Sequence, residues 1–329
     1  MAVLVTGGAG YIGSHMVLAL LDAGERVVVL DDLSTGFPWA VDPRASFVQG
    51  DVSDGATVAQ VVAEHEVEAV IHFAARIVVP DSVADPLGYY LANTVKTRAL
   101  LERVVAAGVR HFIFSSTAAV YGMVGIEPVR EDAVLAPISP YGRSKLMSEW
   151  MLQDTAAAFP LTYVALRYFN VAGADPLGRT GQSTAGATHL LKVACETALG
   201  KRPGLQVYGK DYPTPDGTCL RDYIHVTDLV GAHLVALTHL RGGGASGIYN
   251  CGYGRGYSVL DVLETVKRVS GVDFPVQFAP RRPGDPAAVV AEAQRIRSDL
   301  HWAPHLDDLT TIVTTALAWE RKLETLPRD

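Results

Sequence analysis

Short apolar runs alternate with longer stretches in which apolar residues recur at helical spacing, and this alternation fills the first half of the chain. The runs cover residues 3–6, 26–30, 46–48, 69–73, 111–115 and 162–167. The 26–30 run is continuously apolar, which marks a strand buried on both faces of a parallel sheet. Helices are predicted from the glycine-rich 7–13 segment to about residue 23, then over 56–65, 89–107 and 141–158. Strand–helix alternation at this spacing predicts an α/β fold built on a Rossmann-type, doubly wound parallel sheet. After residue 170 the pattern breaks into a glycine-, proline- and threonine-rich region, 173–186. A helix over 188–199, a strand over 206–208 and a loop over 209–220 follow. Residues 223–239 read as a return to the first domain, and 257–269 and 309–323 as later helices.

With 329 residues the chain exceeds a usual single core, so two coupled domains are expected. Residues 1–170 form the first, with 221–250 returning to it; 171–329 form a smaller C-terminal α/β substrate domain. At 49% hydrophobic and 19% charged residues there is ample material for a buried sheet. No run reaches the 18 or so apolar residues of a membrane span. A net charge of −7 and the lack of a basic stripe argue against nucleic acid as a partner. Cys195, Cys219 and Cys251 are odd in number and lack metal-ligand spacing, so reduced core thiols and no metal site are expected. Met1 runs into the first strand without room for a signal peptide, and a cytoplasmic protein is expected.

The turn Gly7-Gly8-Ala9-Gly10-Tyr11-Ile12-Gly13 follows a strand and opens a helix, the context in which spaced glycines cradle a pyrophosphate. Asp31, at the end of the second strand, is placed to accept ribose hydroxyls and repel a 2′-phosphate. Asp32, Leu33, Ser34, Thr35 and Gly36 continue that turn without an arginine, which favours NAD over NADP. Asp51 and Val52, ending the third strand, are placed to meet the adenine. Phe73, Ala74 and Ala75 end the fourth strand and leave space for the cofactor; Ser115, Ser116 and Thr117 end the fifth. Tyr141 and Lys145, four apart, share one helix face. A lysine there can hold a phenol partly ionised, and a phenolate is a competent base for a sugar hydroxyl. Any helix can show that pair by chance; together with the glycine loop it points to redox chemistry on an alcohol.

Thr6 through His15, Tyr141-x-x-x-Lys145 and Arg167-Tyr168-Phe169-Asn170 resemble the extended short-chain dehydrogenase/reductase family. The 209–226 segment (GKDYPTPDGTCLRDYIHV) and the 279–285 segment narrow the resemblance to its UDP-glucose 4-epimerase branch, essentially end to end. The resemblance implies NAD as cofactor and a UDP-sugar as substrate, epimerised at C4 through a transient 4-keto sugar. It implies that Tyr141 is the base, that Lys145 lowers its pKa and contacts the nicotinamide ribose, and that Thr117 bonds the same sugar hydroxyl. Asn93 and Phe169 join the cofactor set. Asn170, Leu190, Gln206, Val207, Tyr208, Arg221, Arg282, Asp285 and Val289 fall where the family holds the substrate. Arg221 and Arg282 are forks suited to a diphosphate, and Tyr208 offers a face for uracil. A homodimer built on the helices near 89–107 and 141–158 is also implied.

The chain departs from the family pattern in places. Ile77 stands where some members carry a cofactor-reaching lysine, with Arg76 as the nearest replacement. Thr188-His189 replaces a common Asn-Asn pair, and His189 reads as structural. Val289 replaces a tyrosine that can wall off the sugar pocket, so activity on UDP-N-acetylhexosamines is expected as well. Ala118-Ala119 stands where related dehydratases carry an acidic pair. A nucleotide-sugar decarboxylase, or an idle NAD- or nucleotide-sensing module, remains as an alternative.

Overall fold

The computed structural model of the chain describes residues 1–282 and 284–326. Pro283, inside the 279–285 motif, lies outside the described residues. Six strands follow the expected alternation: β1 (Ala2–Thr6), β2 (Val27–Asp31), β3 (Ser46–Gln49), β4 (Val67–His72), β5 (His111–Thr117) and β6 (Thr162–Tyr168). They pair in parallel in the order β3-β2-β1-β4-β5-β6. The order reverses between β1 and β4, so their carboxyl ends open a crevice. Three strands then leave this sheet: β7 (Asn170–Ala172), β8 (Leu205–Tyr208) and β9 (Leu220–His225). The chain comes back through β10 (Gly247–Cys251), which pairs in parallel with β6 as the seventh strand.

A second sheet is made by β9, which pairs with β7, with β11 (Gly256–Ser258) and with a two-residue strand at Ala288–Val289. Between these in sequence, β12 (Val276–Ala279) pairs with β8; the Ala288–Val289 strand is then β13. None of β7, β10, β11, β12 and β13 was individually legible. They are two to five residues long, too short for a period-2 pattern to stand out.

The helices around the main sheet are α1 (Tyr11–Asp22), α2 (Gly55–His65), α3 (Val79–Ala84), α4 (Pro86–Tyr89), α5 (Lys96–Ala106) and α6 (Pro140–Ala158). The expected continuous helix over 89–107 is instead α4, a π-helical segment at Tyr90–Val95, and α5. Asp85 separates α3 from α4, leaving helical geometry and capping α4 through its carboxylate and the Gly88 amide at 3.0 Å. Later come α7 (Leu190–Ala198), α8 (Val226–Arg241), α9 (Val259–Ser270), α10 (Gln294–Leu300) and α11 (Leu309–Lys322). The helix expected from 257 begins at Val259, because Tyr257 belongs to β11 and Ser258 and Asp261 form a reciprocal capping box. The largest apolar cluster runs unbroken from β1 and β4 through α8 to α7, α9 and α11, so the two halves share one core. Leu4, Phe112, Phe114 and Leu152 belong to a second cluster on the opposite sheet face.

Candidate active site

The turn from β1 to α1 is shaped by its glycines. Gly7 has φ of 71°, and a Cβ at Gly13 would lie 2.0 Å from the Gly7 carbonyl oxygen. Larger residues are therefore excluded at both ends. No side chain caps α1 and its first turn carries no acidic residue. The unpaired amides and the positive end of the helix dipole are thus left for an anion from outside the chain. Thr35 lines a small cavity beside this turn with Gly10, Tyr11, Ser14 and Gly181. The Tyr11 hydroxyl is tied to the Gly173 carbonyl at 2.7 Å, so Tyr11 offers the ligand its backbone rather than its phenol. Ile12 packs on the main core.

At the end of β2 the Asp31 carboxylate accepts from the Ala9 amide at 2.9 Å and the Leu33 amide at 2.8 Å. It joins the glycine loop to the 31–36 turn, and burial raises its pKa. Asp32 organises the same turn by accepting from Ser34, and Leu33 takes φ of 61°. Gly36 packs directly against Ala9. Asp51 pairs with Lys96 and Ser53, while Val52 is buried. Phe73, half-buried, packs against His233 with the rings tilted and their centroids 5.0 Å apart. Ala74 backs onto Gly7 and Ala75 follows. A dinucleotide fits this cradle.

Asn93 is fully buried on the π-helical segment. It accepts from the Arg76 amide at 2.8 Å and donates to the Arg76 carbonyl and the Ser144 hydroxyl, which shapes the loop after β4. Arg76 does not replace the missing lysine, because its guanidinium binds Asp85 at 2.7 Å and lies over the Tyr89 ring. Ile77 is exposed.

The catalytic candidates converge where β5 and α6 meet. Ser139 caps α6 and Pro140 is its first residue, which places Tyr141 in the first turn. The Lys145 ammonium donates to the Ser115 carbonyl at 2.8 Å and sits 4.9 Å from the Phe114 ring centre. The Thr117 hydroxyl caps the following turn by accepting from Ala119 at 3.1 Å and lies near the Tyr141 phenol. Burial pushes the phenol up to about 12, with Thr117 opposing, and pushes Lys145 down to about 7, with Glu149 opposing. The expected acidification of Tyr141 by Lys145 is therefore absent from the protein alone. Desolvation disfavours the charged form of both groups.

On the substrate side, Arg221 pairs with Asp285 and also bonds its own neighbour's carbonyl, Leu220 O, at 2.7 Å. The Arg282 guanidinium lies 3.8 Å above the Tyr208 ring, and Gln206 accepts from the Tyr208 hydroxyl at 2.8 Å. The surfaces expected to meet diphosphate, uracil and ribose thus face each other and must open toward a ligand. The Val207 side chain is buried in the main core, which leaves its backbone to serve a ligand. Leu190 is the first residue of α7, behind His189, and Asn170 opens β7. Val289 packs with Ala118 and Phe169 against the cluster beside Thr117. Phe169 thus sits beside the catalytic strand end.

Sequence reasoning did not find the buried pair Glu149–Arg167, with N–O distances of 3.0 and 2.7 Å, on the face of α6 that carries Lys145. The one available signal was the third member of an i, i+4, i+8 series, Tyr141-Lys145-Glu149.

Residues 3–252 match the NAD dependent epimerase/dehydratase family, and the chain belongs to it. Its fold and cradle define a nucleotide-sugar enzyme that keeps NAD as cofactor. Its close relatives are UDP-glucose 4-epimerases. That of Azospirillum brasilense is 57% identical over 322 residues, covering 98% of this chain and 92% of the relative. The crystal structure of UDP-glucose 4-epimerase from Bifidobacterium longum in complex with NAD+ and UDP has a TM-score of 0.92 at 38% identity, with 98% of each chain covered. The UDP-Glc/GlcNAc 4-epimerase of Campylobacter jejuni has a TM-score of 0.86 at 47% identity, covering 98% of this chain and 99% of the other.

Proposed function

We infer that the protein is an NAD-dependent isomerase that interconverts UDP-glucose and UDP-galactose by transient oxidation at C4. The observation that carries this reading is the meeting of Thr117, Tyr141 and Lys145 beside the glycine cradle, in a chain 57% identical to a UDP-glucose 4-epimerase. Tyr141 takes the proton of the sugar 4-hydroxyl, and Thr117 holds the same oxygen as it becomes a carbonyl. When bound, NAD supplies the hydride acceptor for C4 and a positive charge beside the phenol. Lys145 orients the nicotinamide ribose and adds positive charge when protonated. Arg221, Arg282, Tyr208, Asp285 and Asn170 anchor UDP, so that remote binding energy holds the nucleotide while the hexose presents either face. Residues 1–170, with 221–250 returning to them, carry the cofactor and 171–329 the sugar nucleotide, with Asn170 and Arg221 reaching UDP from the boundary between the two.

Dehydration is disfavoured because Ala118 and Ala119 offer no acid–base group after Thr117. We further propose a homodimer, a role in galactose metabolism in the cytoplasm, and acceptance of UDP-N-acetylhexosamines. Three free, buried cysteines fit a reducing compartment, and among the described residues no helix is long and apolar enough to cross a membrane.

The test is conversion of UDP-galactose to UDP-glucose with no net change in NADH absorbance. Tyr141→Phe is expected to lower kcat by roughly 100- to 10,000-fold, the range for a general base. UDP affinity should stay within about twofold. Loss of both together would remove the assigned role.

A further inference from the structure

Glu149 is almost wholly buried, and every polar partner it has lies close to the catalytic strand end. Its carboxylate takes two parallel bonds from Arg167, at 3.0 and 2.7 Å, and a third from the Ser116 hydroxyl at 2.5 Å. Ser116 sits between Ser115, whose carbonyl receives the Lys145 ammonium, and Thr117. Arg167 faces Ser116 across the β5–β6 ladder and uses its remaining nitrogen on the Tyr121 hydroxyl at 2.9 Å and the Glu131 carbonyl at 3.2 Å. Tyr121 in turn donates to Asn250 on β10 at 2.6 Å. One network therefore joins α6, β5, β6 and β10 directly behind the reacting groups.

A buried ion pair is weak evidence of stabilisation, since apolar residues of similar volume often serve as well. Here it stands one turn beyond Lys145 on the same helix face, which a purely structural pair would not require. We propose that Glu149, held by Arg167 and Ser116, is a positioning residue that fixes α6, and with it Lys145, against β5 during epimerisation. This rests on the 4-epimerase reading above.

The charge environment agrees. Burial drives Lys145 down to about 7, and Glu149 is the group that opposes this. The other titratable or charged groups facing this region are Tyr141 on α6, His72 on β4, Tyr163, Arg167 and Tyr168 on β6, Tyr121 after β5, Glu131 and Tyr89. His72 is held neutral by burial, and the tyrosines are held protonated. Removing the Glu149 charge thus lowers the Lys145 pKa further, and the ammonium is lost at lower pH.

The test compares wild type, Glu149→Gln and the double variant Glu149→Met/Arg167→Met for UDP affinity, kcat, KM and the pH profile of kcat. Wild type must first epimerise UDP-galactose; if it does not, the functional reading fails and not this one. The expected result for Glu149→Gln is UDP affinity within about twofold, kcat down at least about tenfold, and an alkaline limb moved to lower pH. A folded Glu149→Gln with wild-type kcat and an unmoved limb overturns the proposal. Should that variant lose UDP binding, the double variant decides. Lowered kcat with UDP binding kept supports positioning, whereas wild-type kcat, or unfolding of both variants, reduces the pair to structure and overturns it.

Discussion

Val289 shows how much one side chain can decide at this site. It lies on β13 in register with Arg221 and packs toward Ala118 and Phe169, so it forms part of the wall between the nucleotide anchor and Thr117. An aliphatic group there leaves the space a ring would fill, which is the basis for expecting UDP-N-acetylhexosamines as substrates. Val289→Tyr should cut kcat/KM for UDP-N-acetylgalactosamine by about tenfold or more while changing UDP-galactose turnover less than threefold. A methylene-scale steric change is worth about 1–3 kcal/mol, and a ring is larger. Equal effects on the two substrates, or no wild-type turnover of the acetylated one, would refute the assignment. Residue identity at this site was legible where chemistry demands one residue type, as at Gly7, Gly13, Tyr141 and Lys145. It was not legible where partners are chosen in space. Nothing in the sequence says that Asn93 spends its amide on Arg76, that Asp285 meets Arg221, or that burial raises the phenol.

At the scale of elements, the segment from α3 to α5 carries a row of exposed apolar residues at four-residue spacing: Val83, Leu87, Leu91 and Val95. Leu87 is 79% exposed, which a monomer gains nothing from. Helix α6 packs against the π-helical segment and adds Met147 and Trp150, both exposed, to the same region. A second copy with the same face would cover the row, and isologous pairing is the usual way. Leu91→Glu is expected to convert a dimer to a monomer in size-exclusion light scattering, with UDP affinity retained because the row lies apart from the Arg221 region. A wild-type monomer at micromolar concentration would dispose of the dimer. The main strands and helices of the first half were readable because each buries a long, regular stripe. The π-helical segment was not, since its break comes from the Asp85 cap and the buried Asn93 rather than from any lapse in apolar spacing.

Across the whole molecule, four buried histidines are held neutral by loss of solvent, and one of them, His225, bonds across to the C-terminal half. His72 sits between Thr6 and Thr97 under the cofactor cradle, at 2.7 and 3.0 Å. His15 meets the Tyr11 carbonyl, His233 joins Leu229 to the Tyr168 hydroxyl, and His225 caps α8 while bonding Thr315 of α11. Burial depresses His72 to about 3 and the other three to about 4. A histidine whose folded pKa lies below the unfolded value contributes stability that is present above about pH 6.5 and is lost as pH falls toward the folded value. Asp222, buried and accepting from three backbone amides, is raised to about 6 and acts the other way for one proton between pH 6 and 4. The balance is an uptake of about three protons on unfolding near pH 5, so stability should drop steeply between pH 6 and 5. Urea unfolding followed at pH 7.5, 6 and 5 reads this slope directly. Since the histidines span β4, α1 and α8, with His225 bonded to α11, the loss should be cooperative, with tryptophan fluorescence and far-ultraviolet dichroism moving together. Uptake of less than one proton, or a transition that splits between the probes, would show that these histidines do not hold the shared core as one unit.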